Sequence, residues 1–111
     1  MPSEPANLEV DLEAFEKAHA AGAKVLDVRQ PDEYQTAHVP GAVLIPLGDL
    51  EARQHEVPKA DPLYVICASG GRSLAATKAL VDAGHKAVSV AGGTNGWIER
   101  GGAVVSGDQP D

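Results

Sequence analysis

The chain reads as an α/β domain in which a parallel-rich sheet carries helices on both faces. Three observations predict this. Short apolar runs (KVLDV, AVLI, LYVIC and AVSV) recur along the 111 residues. Segments with helical apolar spacing lie between them, so strands and helices alternate. Glycine or proline marks most junctions, and no linker is long enough to separate two domains. Strands joined through helices run parallel by right-handed crossovers. Ligands of such sheets bind beyond the carboxyl ends of the strands, here after Val28, Ile45, Cys67 and Val90.

The elements follow in order. One domain is expected over residues 6–104, with residues 1–5 and 105–111 as short polar tails. Leu8 and Val10 alternate around Glu9 as a short strand. Asp11 suits the N-cap of a helix through Leu12, Phe15 and Ala18, and Gly22 ends it. Lys24 to Val28 is a buried strand. Pro31 opens a small helix whose positive end Asp32 and Glu33 favour. His38 to Gly41 is a turn, with His38 expected to lock it by hydrogen bonds. Ala42 to Ile45 is a further apolar run, and Leu47 to about Glu56 is predicted as a short helix. Leu63 to Cys67 is the most strand-like segment. Ala68 to Gly71 is a loop. Arg72 to Ala83 has helical spacing, with Ala76, Leu80 and Ala83 on one face and Lys78 and Asp82 on another. Ala87 to Val90 is the last strand. Gly92 to Trp97 turns into a final helix in which Trp97 anchors the core.

Composition narrows the function. The formal charge of -7 opposes binding to phosphate backbones and to anionic lipid surfaces, so neither nucleic acid nor membrane is an expected partner. A single cysteine excludes an internal disulfide. The first fifteen residues carry acidic groups and no apolar stretch, which is unlike a signal peptide. A cytoplasmic setting is expected. His19, His38, His55 and His85 are scattered without metal-ligand spacing, and GGRS lacks the lysine of a phosphate-binding P-loop. Neither metal nor organic cofactor is expected.

Cys67 ends the most apolar strand and opens CASGGRS. The glycine pair lets the backbone adopt positive φ, so successive N–H groups can turn inward as an anion nest. The helix that follows adds its positive end, and Arg72 adds a permanent cation. A thiol in that ring ionises easily, and the thiolate is the nucleophilic form. The bland alternative is a cysteine that fills a strand end as a small apolar residue. It does not account for two glycines, an arginine and a helix start within five residues.

These residues carry a resemblance. Asp27-Val28-Arg29 with Glu33-Tyr34, His38-Val39-Pro40-Gly41-Ala42, Cys67 to Ser73, and Gly92-Gly93 with Trp97 stand in order over about Leu8 to Gly102. The chain thereby resembles single-domain rhodaneses, the thiosulfate sulfurtransferase-like family. The resemblance implies a five-stranded parallel sheet flanked by helices. It also implies a catalytic Cys67 that becomes a persulfide, cradled by N–H groups of Ala68, Ser69, Gly70, Gly71, Arg72 and Ser73. Arg72 would help hold a small anionic sulfur donor such as thiosulfate. Asp27 and Arg29, at a strand end on the same side, are candidate supports of the cysteine loop through an ion pair. Two departures stand out: Ala68 replaces a frequent basic residue and thins the positive field, and Ala37 replaces a frequent glycine.

The reaction so implied has two halves. The Cys67 thiolate takes the outer sulfur of the donor, and a second thiophile, a thiol or a sulfur-acceptor protein, removes it. Two rivals remain open. One is a rhodanese-like binding or regulatory module without turnover. The other is a cysteine phosphatase or arsenate reductase, which usually has five residues between cysteine and arginine. Here there are four, Ala68 to Gly71.

Overall fold

The computed structural model describes residues 8–111, so the expected tail over Met1 to Pro5 lies outside it. Five strands, β1 (Glu9–Val10), β2 (Val25–Asp27), β3 (Val43–Leu44), β4 (Leu63–Ile66) and β5 (Ala87–Val90), form one sheet in the order β1-β5-β4-β2-β3. All pairings are parallel. The connection from β2 runs outward to β3, whereas that from β4 runs the opposite way to β5. Right-handed crossovers in opposite directions put their helices on opposite faces, which opens a crevice between the ends of β2 and β4. Asp27 and Ile66 face each other across it.

Four α-helices complete the fold: α1 (Leu12–Ala20), α2 (Pro31–Thr36), α3 (Gly71–Asp82) and α4 (Gly93–Glu99). Asp11 caps α1, its carboxylate accepting from the Ala14 amide at 2.8 Å. Side chains alternate across the sheet, so each strand feeds two cores. Leu63 and Val65 join Leu26, Val28, Ala76 and Leu80 on the α3 face. Ile66 joins Phe15, Tyr34, Val39 and Trp97 on the face covered by α1, α2 and α4. Phe15 is fully buried, with its ring centroid 5.2 Å from that of Trp97 and 5.7 Å from that of Tyr64. Trp97 also donates its indole N–H to the Ala103 carbonyl at 2.7 Å, which makes it a core anchor.

Three local expectations are corrected. The segment Leu47 to Glu56 is two 3-10 turns, Leu47–Asp49 and Gln54–Glu56, and not one helix. Within it only Leu47 and Leu50 reach the core, and the polar residues after Leu50 offer no continuous stripe to hold an α-helix against the sheet. Ala83, expected on the buried face of α3, is exposed because the helix is already ending there. The buried stripe is Ser73, Ala76, Thr77 and Leu80. Residues 105–111 are docked on the body. Val105 and His38 exchange main-chain hydrogen bonds of 2.9 Å in both directions, Gly107 N–H donates to Gln35 at 2.8 Å, and Gly41 N–H donates to Pro110 at 2.9 Å.

His38, expected to lock its own turn, instead joins α2 to the docked segment, while the Ala42 N–H closes the turn on the Val39 carbonyl at 3.1 Å. His38 is fully buried, its ring stacks on Tyr34 at 3.6 Å, and its two nitrogens face the carbonyls of Tyr34 and Gln109 at 2.8 Å each. The Tyr34 hydroxyl donates to the Ala42 carbonyl. Among the described residues no helix is long and apolar enough to cross a membrane.

The Phe15 cluster ties α1 and α4 to the sheet, so Phe15→Ala is expected to cost about 3–5 kcal/mol. Urea denaturation should show it as a lower midpoint with an unchanged slope.

Candidate active site

The site grows from the end of β4. Cys67 is the first residue past the strand, and its side chain continues the parity of Leu63 and Val65 toward α3. The residue is only 1% exposed. Its carbonyl and that of Ala68 accept from the Thr94 and Asn95 amides at 2.8 and 3.0 Å, at the start of α4. A planar peptide points its N–H away from its C=O. Tying down these two oxygens therefore turns the Ala68 and Ser69 N–H groups the other way, into the loop. Gly93 makes the approach possible, because a Cβ there would lie 2.5 Å from both oxygens, and its φ of +59° is one that glycine adopts freely.

The loop then closes over the sulfur. Gly70, at φ +118°, donates its N–H to Cys67 Sγ at 3.1 Å and precedes the first residue of α3. Ser73, in the first turn of α3, places its hydroxyl oxygen 3.4 Å from Sγ. That oxygen also lies 2.8 Å from Ser89 Oγ and 3.2 Å from the Gly70 carbonyl. Both serines are fully buried. Burial alone pushes the Cys67 thiol up. Hydrogen bonds from the Ser73 hydroxyl and from the Ser73, Gly70 and Ser69 amides outweigh it, and the thiol ends below its usual range.

The six loop residues therefore divide. Ser69, Gly70 and Ser73 act on the sulfur. Ala68 turns toward a cleft of about 370 Å³ between α2 and α4, which Glu33, Asn95 and Ile98 also line. Gly71 starts α3. Arg72 leaves the sulfur and forms a two-pronged pair with Glu33, with Nη1–Oε1 at 2.8 Å and Nη2–Oε2 at 2.9 Å. The Arg72 pairing and the Gln30 amide hold the Glu33 carboxyl down at about 2.

Asp27 and Arg29 do form an ion pair, fully buried on the aspartate side. Arg29 Nε reaches both carboxylate oxygens at 2.9 and 3.1 Å, and Nη2 adds a third contact at 2.8 Å. The remaining bond of Nη2 goes to the Ala37 carbonyl at 2.9 Å. The pair thus pins the end of α2. Among the described residues it makes no direct hydrogen bond to the cysteine loop, and Asp27 points to the opposite face of the sheet from Cys67.

Sequence reasoning missed three contributors. Ser89 looked like one more strand residue, and only its polarity within AVSV set it apart. The Ser73 side chain was overlooked beside its backbone. Glu33 was noticed as part of a motif, but a partner 39 residues away leaves no local pattern.

The chain is 41% identical over 95 residues to YrkF of Bacillus subtilis, a sulfur carrier protein by name. The match covers 83% of this chain and 51% of YrkF, so the chain spans about half the length of that relative. It is 30% identical over 101 residues to a sulfurtransferase of Allochromatium vinosum, covering 88% of this chain and 94% of that protein. Among solved structures, a rhodanese-related protein from Thermoplasma volcanium superposes with a TM-score of 0.81 at 33% identity, over 87% of this chain and 96% of the other. The rhodanese-like domain model matches residues 11–100, and the chain belongs to that family.

Proposed function

We propose that this domain is a sulfurtransferase that carries sulfane sulfur on Cys67. One observation carries the reading: a single sulfur atom lies under inward-turned amides and a serine hydroxyl that together favour its anionic form. Its family, with relatives named as sulfurtransferases, supports sulfur transfer in general.

In the first half-reaction the Cys67 thiolate attacks the outer sulfur of a donor, the donor's S–S bond breaks, and the electron pair leaves with the remainder. With thiosulfate, the leaving group is sulfite. The terminal sulfur of the new persulfide takes over the charge, and the loop amides stabilise it as they did the thiolate. In the second half a thiophile removes that sulfur and restores the thiolate. Cys67 is the only cysteine in the chain, so the acceptor is another molecule, a thiol or a sulfur-acceptor protein. A phosphatase reading has less support, because Glu33 already occupies the fork of Arg72 that would clasp a phosphate.

Ser73 and Ser89 have a defined part. Each hydroxyl has one proton. Among the described residues Ser89 Oγ contacts only Ser73 Oγ, so Ser89 donates to Ser73. The one proton of Ser73 is then shared between the Gly70 carbonyl at 3.2 Å and the sulfur at 3.4 Å, and a thiolate, as the charged acceptor, draws it toward Sγ.

Incubation with a sulfane donor should add one sulfur atom to the intact mass. Cyanide should remove it, and Cys67→Ser should not acquire it. The rate of Cys67 alkylation against pH should turn over below the ~8.5 of a free cysteine. Ser73→Ala should move that turnover upward and slow alkylation below it, because the thiolate loses a donor. An unmoved profile would remove Ser73 from the mechanism. Gly93→Ala must push α4 off the Cys67 and Ala68 carbonyls, so it should raise the turnover and lower the melting temperature together.

A further inference from the structure

The cleft of about 370 Å³ between α2 and α4 takes no part in the sulfur chemistry. It lies between helices of one sheet face, whereas Cys67 Sγ faces Ser73 on α3, at the other. Two of its groups are built into the fold yet unpaired. Thr94 is 1% exposed, its N–H donates to the Cys67 carbonyl at 2.8 Å, and its hydroxyl has no hydrogen-bond partner among the described residues. Arg29 is 5% exposed. Its Nε and Nη2 go to Asp27 and the Ala37 carbonyl, and Nη1 makes no hydrogen bond among the described residues. Both residues line the cleft. A native fold pairs nearly all of its buried polar groups, so two left unpaired around one cavity mark a place where a ligand supplies the partner.

The lining sets the class of that ligand. Arg29 Nη1 and the Thr94 hydroxyl both donate, so the ligand accepts. Asp27 offsets Arg29, Arg72 offsets Glu33, and Asp32 adds a further carboxylate. Among the described residues no uncompensated positive charge therefore faces the cleft to hold an anion, and the accepting atom is a neutral oxygen, that of an amide. Ala37, Ala68 and Ile98 supply apolar walls, and Ile98 stays 46% exposed. An extended main-chain segment with small apolar side chains meets these conditions. Ala68 joins the cleft to the cysteine loop, its Cα about 3.8 Å from that of Cys67. A small thiol seated in the cleft would not face the sulfur, whereas a protein spans the loop and reaches both sides.

We propose that the α2–α4 cleft is the docking site of the protein that accepts sulfur from Cys67, holding an uncharged main-chain segment of that partner through Arg29 Nη1 and Thr94 Oγ1. This rests on the sulfurtransferase reading above. In the transfer the partner's thiol sulfur bonds to the terminal sulfur of the persulfide anion and the S–S bond breaks. Its electron pair stays on Cys67 as the thiolate, and the thiol's proton moves to the transferred sulfur, so the partner leaves as R–S–SH.

Two acceptors with the same reacting group test this: a capped, uncharged heptapeptide of glycine and alanine around one cysteine, and N-acetylcysteine methylamide. The full chain, loaded with sulfur at Cys67, is followed by intact mass in single turnovers at increasing acceptor concentration. The wild type should half-saturate with the peptide at a concentration about tenfold below that of the methylamide. Thr94→Val removes an unpaired buried hydroxyl, so the melting temperature should not fall, yet most of the preference should disappear. Ile98→Ala, on the exposed wall, should weaken it too. Added salt should leave the preference in place, because a neutral ligand is not screened. Equal half-saturation in the wild type would overturn the proposal, as would a preference unchanged in both variants or one abolished by salt. The same peptide with serine in place of cysteine, titrated into isotope-labelled unloaded protein, should shift the amide resonances of Ala37, Ala68, Thr94 and Asn95, and the lack of any shift there would also overturn it. Should no donor load Cys67, the sulfurtransferase reading itself fails, while the serine peptide still reports on the cleft.

Discussion

The active loop depends on a constraint that has nothing to do with side chains. A peptide unit is planar, and its donor and acceptor point in opposite directions. Fixing the carbonyls of Cys67 and Ala68 on the first amides of α4 therefore decides where the neighbouring N–H groups point. The sulfur receives a polarised cradle because α4 holds the other side of the same peptides. That contact needs a residue without a Cβ at position 93, and it needs α4 to be docked firmly, which the packing of Trp97 on Phe15 provides. Core packing and thiol chemistry are thus joined through two hydrogen bonds.

The cysteine illustrates a contest of magnitudes. Removing a thiolate from water disfavours it, and burial is the largest single influence on Cys67. No one hydrogen bond reverses that. A hydroxyl and three amides acting on one atom do, since each donor that favours the charged form contributes in the same direction. Full burial also helps them: the same low dielectric that penalises an unpaired charge strengthens every bond made to it. The Ser89 to Ser73 contact extends this ring by one member.

Much of the fold was legible in the sequence, and the reasons are local. β4 and β5 are apolar and β-branched, α1 carries its own cap at Asp11, and the breaks at Gly22 and Gly84 sit where helices stop. The five parallel strands, the two helical layers and the placing of Cys67 at a strand end followed from those features and from the family resemblance. What escaped is non-local or unpatterned. The docking of residues 105–111 rests largely on main-chain hydrogen bonds to Gln35, His38 and Gly41, which leave no periodicity behind. The bend from Leu47 to Glu56 depends on how few side chains find a core to enter. The partner of Arg72 was invisible for the same reason, and with it the fact that the most obvious cation of the site is not free.

Helix α2 shows how these distant contacts bear on the chemistry. It has six residues, too few to persist alone in water. It is held from outside at both ends. At its start, Glu33 reaches back to the Gln30 amide and forward to Arg72. At its end, Arg29 holds the Ala37 carbonyl, while Ser106 and Gly107 hold those of Thr36 and Gln35. The buried Asp27–Arg29 pair therefore matters less as a charge than as a clamp: the carboxylate orients the guanidinium, and the guanidinium fixes a helix end. Because Glu33 rides on that helix, the clamp and the docked segment together keep its carboxylate within reach of Arg72. The electrostatics of the cysteine loop is consequently set partly by residues on the opposite face of the sheet, through the position of one short helix.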